Sequence, residues 1–406
     1  MTPQIVGLIL PNTNASIVAQ LVMLVGALAG HLAILSVSLN LWYGHPFPKR
    51  FLSRVRKLHT LLVLIGPVVF LFLYGLAPWA VWEPWPTGWR VLPAVYVLAC
   101  WVVGLAVLPV FTLLRLIQGR PAALLSNHTQ TVDVAADLGR KPVGDGKYRH
   151  LARLPGNQIF QVDFTEKTIQ LPQLPPVWDG LTILHLSDIH FCGTPEKEFY
   201  FHIIDRCRDW NADIVALTGD IVDSARHHRW ILPVLARLQP RGPAYAVLGN
   251  HDWWYEPRLT RRRLQKLGMR VLGNGWEQIE VRGHPLVVIG NETPWFRPAP
   301  DLRSCPPDVF RLCLSHTPDT MPWARQNRID LMLAGHVHGG QVRLPVIGSI
   351  IVPSRFSRRY DCGVFHEPPT FLHVSRGLGG QHPLRYNCRP EVTKIILQSG
   401  AKRQGA

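Results

Sequence analysis

Five short apolar runs in the second half of the chain break off in side chains that bind metals or move protons. LTILHLSDIH ends in Asp188 and His190, DIVALTGD in Asp220, and AYAVLGNHD in Asn250, His251 and Asp252. VFRLCLSH ends in His316, and DLMLAGHVH in His336 and His338. Imidazoles suit Mn, Fe or Zn, while carboxylate and amide oxygens keep a site hard enough for phosphate. Two divalent ions held about 3.5–4 Å apart can activate a water and neutralise a phosphoryl transition state. A carboxylate between them must bridge, and Asp220 is the candidate. The expected chemistry is hydrolysis of a phosphoester, diester or pyrophosphate, by a hydroxide bridging two divalent metal ions.

Such a site needs elements that bring distant residues together. The runs are short and rich in Val, Ile and Leu, as strands buried on both faces should be. Helices are expected between them, over 195–211 and 229–238. This β-α-β alternation puts strand C-terminal ends along one sheet edge, where the ligands can converge. Glycines before Asp220, Asn250 and His336 let the chain turn into the site. His185, His227, His228, His284 and His373 read as core or surface histidines. Asp223 reads as a loop or supporting residue, and Arg261, Arg262 and Arg263 as a solvated helix face. Trp253 and Trp254 either wall the site or pack the loop. Ser315 lacks the partners of a nucleophile.

The ordered set D-x-H, G-D, G-N-H-D, a lone H and G-H-x-H, from Leu181 to about Gln341, resembles the signature of the calcineurin-like metallophosphoesterase superfamily. The resemblance implies a four-layer α/β/β/α sandwich of two packed mixed sheets flanked by helices. It implies one metal on Asp188, His190, Asp220 and His338, and a second on Asp220, Asn250, His316 and His336. His251 corresponds to the family's non-ligand histidine at the leaving oxygen, with Asp252 orienting it. The C-terminal stretch with Arg376, Gly377, Arg385 and Glu391 is similar to the membrane-associated YaeI- and YkuE-like subgroup. Val337 departs from the Thr usual there.

The remainder of the 406 residues is of another kind. Hydrophobic residues make up 47%, and no Asp, Glu, Lys or Arg occurs before Lys49. Runs over 17–41, 58–82 and 91–114 each reach the ~20 apolar residues that cross a bilayer. Three transmembrane helices are therefore expected within 1–117. A connector with some β structure should follow over 118–179, then the catalytic domain over 180–398 and a tail over 399–406. Lys49, Arg50, Arg54, Arg56 and Lys57 lie between the first two runs, and Arg115 and Arg120 after the third. The positive-inside rule then puts the N-terminus outside and the catalytic domain in the cytoplasm. Trp79, Trp82, Trp85 and Trp89 would form an outer aromatic belt.

The net charge of +16 favours anionic partners. No nucleic-acid reader motif accompanies it, so the expected partners are the membrane and a phosphorylated substrate. A phospholipid or a UDP-diacylglucosamine-like lipid fits a membrane-held enzyme. The alternatives are a tethered phosphodiesterase for soluble nucleotides and an inactive scaffold or sensor, against which the intact ligand set argues. A transporter is disfavoured by spans without charge. Seven cysteines without a C-x-x-C pair suggest free thiols.

Overall fold

Long charge-free runs and short ones alternating with polar residues fold differently, and the chain divides accordingly. A computed structural model describes residues 14–74, 91–117, 119 and 121–400. One unit comprises Met1–Trp42 and Lys49–Gly119, the other Tyr43–Pro48 and Arg120–Ala406.

The first unit is helical: α1 (Asn14–Tyr43), α2 (Lys49–Tyr74), and α3 (Val91–Trp101), which continues through a π-helical turn (Val102–Val107) into α4 (Leu108–Ile117). Two stretches, Leu21–Tyr43 and Ala94–Ile117, are long and apolar enough to cross a membrane. The basic residues from Lys49 to Lys57, which lie between the first two runs, form the opening turns of α2. The expected second span is helical as far as Tyr74, and its remainder lies outside the described residues, as do Trp79, Trp82, Trp85, Trp89 and Arg120. His31 ties the three helical segments together. Its Nε2–H donates to Leu62 O (3.1 Å), so its Nδ1 accepts from the Tyr96 hydroxyl (2.7 Å).

The second unit carries two sheets. The first has β1 (Leu124–Asp133), β2 (Gln161–Leu171), β3 (Thr182–Leu186), β4 (Ile214–Thr218), β5 (Ala244–Val247) and β6 (Arg270–Val271). The second has β7 (Trp276–Val281), β8 (His284–Asn291), β9 (Phe310–Ser315) and β10 (Leu331–Ala334). After a small hairpin of β11 (Arg343–Leu344) and β12 (Gly348–Ser349) come β13 (Gly363–Glu367), β14 (Thr370–Val374) and β15 (Glu391–Ser399). The orders are β1-β2-β15-β3-β4-β5-β6 and β13-β14-β10-β9-β8-β7. Strands β3 to β6 run parallel, as do β8, β9, β10 and β14, so both sheets are mixed only at their flanks.

Ile183, Ala216, Val247, Leu312, Leu333 and Ile395 fill the layer between the sheets. The next residues along β3 and β4, Leu184 and Leu217, face outward onto α5 (Lys197–Asp209) through Phe199 and Ile203. On the far side, Ile289, Met332 and Leu372 pack against Met321 and Ala324 of a short helix (Met321–Gln326). Burial on both strand faces explains why these runs read as continuous apolar stretches. The architecture is the expected four-layer α/β/β/α sandwich.

The stretch expected as a connector contributes more than a link. β1 pairs antiparallel with β2, and β2 pairs parallel with β15 along its length. The register sets Asp163 opposite Glu391, the Lys167 side chain reaches back to Glu391 from farther along β2, and a buried ion network results. Lys167 binds Glu391, while Arg376 donates to Glu391 through Nε (3.0 Å) and to Asp163 through Nη1 (3.0 Å). Burial opposes ionisation of Glu391, yet Arg376 and Lys167 hold its carboxyl well below the usual range. Removing one charge strands the others in low dielectric. Glu391→Gln should therefore destabilise the catalytic unit by about 3–5 kcal/mol, read as a fall in urea midpoint with unchanged slope.

Candidate metal centre

Parallel strands deliver their C-terminal ends to a common edge, and the candidate ligands lie there. Asp188 and His190 follow β3, Asp220 follows β4, and Asn250 and His251 open a short helix (Asn250–Trp254) after β5. His316 follows β9, and His336 and His338 follow β10. The backbone bends sharply to aim them. Asp188, His190, Asp220, His336 and His338 all have φ between +50° and +71°. That region costs a non-glycine residue about 1–3 kcal/mol and persists only where surrounding structure enforces it. Two of the glycines serve close approach rather than turning. A Cβ on Gly335 would lie 2.2 Å from Asp188 Oδ2, and one on Gly249 2.2 Å from Asp220 Oδ1.

Three groups of donors form, each with ligand atoms within 4.8 Å of one another: Asp188, His190 and His338 in one, Asp220, His316 and His336 in a second, and His190, Asp223 and His251 in a third that shares His190 with the first. His190 Nε2 faces His338 Nε2 at 3.1 Å and lies 3.6 Å from Asp220 Oδ2, so Asp220 borders both of the first two sets. Asn250 Oδ1 is 3.1 Å from His316 Nε2, which also lies 3.3 Å from Asp220 Oδ2.

Backbone groups fix these orientations. His316 Nδ1–H donates to Thr218 O (2.7 Å), which turns Nε2 toward Asp220 and Asn250. The His336 N–H donates to the Asp188 carboxylate (3.0 Å), and the His251 N–H to Asp220 Oδ1 (2.8 Å). Below them His185 bonds Thr218 Oγ1 (2.8 Å) and His373 Nδ1 (2.9 Å). Burial pushes the His185 imidazole down to about 4 and holds His373 well below the usual histidine range, so both are neutral supports.

Electrostatics favour a cation at this edge. Burial works against ionisation of Asp188 and Asp220. The imidazoles of His338 and His190 around the first, and of His316 and His251 around the second, outweigh it and hold both carboxyls low. Burial drives His336 down to about 3 and His338 down as well, keeping both rings neutral. His316 is pushed the other way, to about 9: burial opposes its proton, but Asp220 demands positive charge beside it. His336 Nε2 is buried with no hydrogen-bond partner. Two ionised carboxylates, neutral imidazoles and an orphaned ring nitrogen are what a divalent ion would satisfy, so the residues fit the metals that the motif implies.

One expectation is corrected. Asp252 does not touch the His251 ring; its carboxylate accepts the N–H groups of Ile221 (3.0 Å) and Gly249 (3.0 Å), and burial beside Asp220 raises it to about 7. Asp223 takes the orienting place. One carboxylate oxygen meets His251 Nδ1 closely, and the other lies 3.0 Å from His190 Nδ1. The G-D-x-x-D spacing was the available signal: two residues beyond Asp220, the chain bridges to Phe191 at Val222 and brings Asp223 back under the site.

Two further features escaped the sequence, and a third, Arg385, was named there without a role. Trp295 lies against His316 and His336, with ring centroids 5.4 and 5.0 Å away. Arg261 binds buried Glu292, whose other oxygen accepts Leu248 N–H (2.7 Å), so it is no solvated face. Arg385, fully buried, donates to His338 O (3.1 Å), Arg376 O (2.9 Å) and Gly379 O (2.6 Å), shaping the loops around Asp188 and His338. Of the two tryptophans left open, Trp254 packs on the His251 ring, with centroids 4.7 Å apart. All seven cysteines are free, and in the catalytic unit burial pushes the Cys313 thiol well up and the Cys192 thiol up to about 12.

A methyl group at Gly335 would have to displace Asp188. Gly335→Ala should weaken Mn²⁺ binding at least roughly tenfold by calorimetry, with the far-UV spectrum unchanged.

Comparison with known proteins agrees with this geometry. The profile of the calcineurin-like phosphoesterase family matches residues 181–340. The uncharacterized metallophosphoesterase YkuE of Bacillus subtilis is 29% identical over 59% of this chain and 86% of its own. Phosphodiesterase YaeI of Escherichia coli is 30% identical over 53% of this chain and 81% of its own. A transmembrane protein with metallophosphoesterase domain from Danio rerio is 27% identical over 57% of this chain and 56% of its own. That protein and the two apolar helices suggest membrane association here. With the family profile lying over the strands that carry the site, and a 30% identical relative covered for four-fifths of its length, the chain belongs to the calcineurin-like metallophosphoesterases.

Proposed function

We propose that the chain is a dinuclear phosphodiesterase acting on a lipid-borne phosphoester at a membrane. The observation that carries the catalytic part is the meeting of two donor sets at one strand edge, with Asp220 bordering both. Asp188, His190, Asp220 and His338 would hold one divalent ion, and Asp220, Asn250, His316 and His336 the other. Bound there, the ions would supply positive charge to the phosphoryl oxygens and make water a nucleophile near neutral pH.

The rest falls to the chain's own residues. As water attacks phosphorus and the ester bond breaks, the departing alkoxide needs a proton. His251 supplies it, being beside Asp220 but outside both ligand sets. Asp223 holds His251 through Nδ1, which leaves Nε2 to face the substrate, and the same carboxylate fixes the ligand His190. Trp295 and Trp254 pack on the histidines and keep water from their outer faces. A diester is favoured over a monoester by the YaeI relationship, and a lipid by the apolar helices, Leu21–Tyr43 and Ala94–Ile117. The spans, with the catalytic unit on the cytoplasmic side, would hold the site at the headgroups.

The test is the full chain in detergent with Mn²⁺, assayed on bis-p-nitrophenyl phosphate beside p-nitrophenyl phosphate, and then on a phosphodiester lipid in mixed micelles. Preference for the diester is expected, with Asp220→Ala inactive and His251→Ala slower by about 10²–10⁴-fold. Asp223→Asn should lose about 10–100-fold in kcat with little change in KM. Equal rates for His251→Ala and the unaltered chain would remove the proton-donor role, and turnover of nucleotide diesters alone would remove the lipid.

A further inference from the structure

Just beyond His338 the chain enters the hairpin of β11 and β12, with Arg343 opposite Ser349 and Leu344 opposite Gly348. Its tip is a tight turn in which Ile347 N–H donates to Pro345 O (2.7 Å). Val346, between them, has φ +65°. Glycine or asparagine suits that conformation, and a β-branched residue there is strained. Val346 is also 66% exposed, and Leu344 (41%) and Ile351 (43%) flank it. Only Leu125, Leu154 and Val177 are comparably exposed among the large apolar residues described in this unit, and they are scattered. The hairpin therefore presents branched apolar side chains to solvent at a place where backbone and hydration both favour something else.

The hairpin is firmly held. Arg343 Nη1 donates to Gly339 O (3.0 Å) and to Asp361 Oδ2 (2.8 Å), which also accepts from Ser349 Oγ (2.6 Å). Asn387 Nδ2 donates to Arg343 O (3.0 Å), and Arg358 to Ile347 O. The tip is thus a rigid projection, and its foot is the turn that carries His338.

A second observation identifies what covers it. Residues 43–48 belong to the catalytic unit, and Gly44 lies so close to the chain six residues past β12 that a Cβ would meet Arg355 N at 2.6 Å. Tyr43 ends the apolar stretch Leu21–Tyr43, while Lys49, Arg50 and Arg54 open α2. A segment between an apolar helix end and a basic cluster has the composition of chain at the headgroup level of an anionic bilayer. We infer that the β11–β12 hairpin dips Leu344, Val346 and Ile351 into that bilayer surface and so holds the His338 turn beside lipid headgroups. The inference rests on the reading of α1 as a bilayer helix. It adds a contact surface on the catalytic unit itself, separate from the spans.

The test uses the full chain in phosphatidylcholine–phosphatidylglycerol liposomes, with the photocrosslinker p-benzoylphenylalanine replacing Val346. Leu154, exposed elsewhere on the same unit, serves as the negative position, and Leu32 of α1 as the positive one. Irradiation should attach lipid at position 346 at least roughly tenfold more than at 154, as expected for apolar side chains seated in an interface. Lipid at 32 but no more at 346 than at 154 would overturn the hairpin contact alone, as would a crosslink from 346 to a second protein chain. No lipid at 32 would instead remove the membrane reading beneath it. Turnover of bis-p-nitrophenyl phosphate by Val346→Asp, unchanged from the unaltered chain, would confirm that the tip lies outside the catalytic machinery.

Discussion

Asp188, Asp220 and Asp223 are all buried, each with an oxygen 3.0–3.7 Å from a ring nitrogen of His190. Carboxylates taken out of water need compensation, or they cost several kcal/mol each. The histidines around them compensate in part, as His316 shows by keeping its proton beside Asp220. Burial holds His336 and His338 low and so limits what those two rings can add. Divalent cations would complete the balance, and much of the catalytic unit is arranged so that they could be held.

That arrangement has three levels. Parallel strands bring five chain segments to one edge. Left-handed backbone at Asp188, His190, Asp220, His336 and His338 turns the side chains inward, and Gly249 and Gly335 leave room for the two carboxylates. Beneath, polar contacts fix each ring: Thr218 O for His316, Asp223 for His190 and His251, and the neutral pair His185 and His373 under Thr218. Arg385 then joins the loops after β10 and β14 through their carbonyls. Strain at the ligands is balanced by this surrounding order, as it must be if the ligands are to stay poised without collapsing on one another.

Much of this could be read in the sequence, for a physical reason. A strand buried on both faces leaves a continuous apolar run, and a ligand must end it in a polar residue, so β3, β4, β5, β9 and β10 announced themselves together with Asp188, Asp220, Asn250, His316 and His336. What was hidden depended on three-dimensional proximity. Nothing in the run that holds Asp252 says that its carboxylate turns to backbone N–H groups while Asp223, from another loop, meets His251. Trp295 lies in an irregular stretch without a period. Arg261 sits in an arginine run whose partner, Glu292, is far along the chain. β1 and β2 alternate weakly because much of β1 is exposed, and only pairing with β15 shows that they belong to the sheet.

The central claim is that the strand edge holds two ions sharing Asp220. The most direct measurement is metal content per chain by mass spectrometry, on full-length protein stripped with chelator, reloaded with Mn²⁺ and desalted, beside Asp220→Ala. Two ions per chain, falling to one or none in Asp220→Ala, is the predicted result. One ion in the unaltered chain, or two that survive the loss of Asp220, would contradict the account.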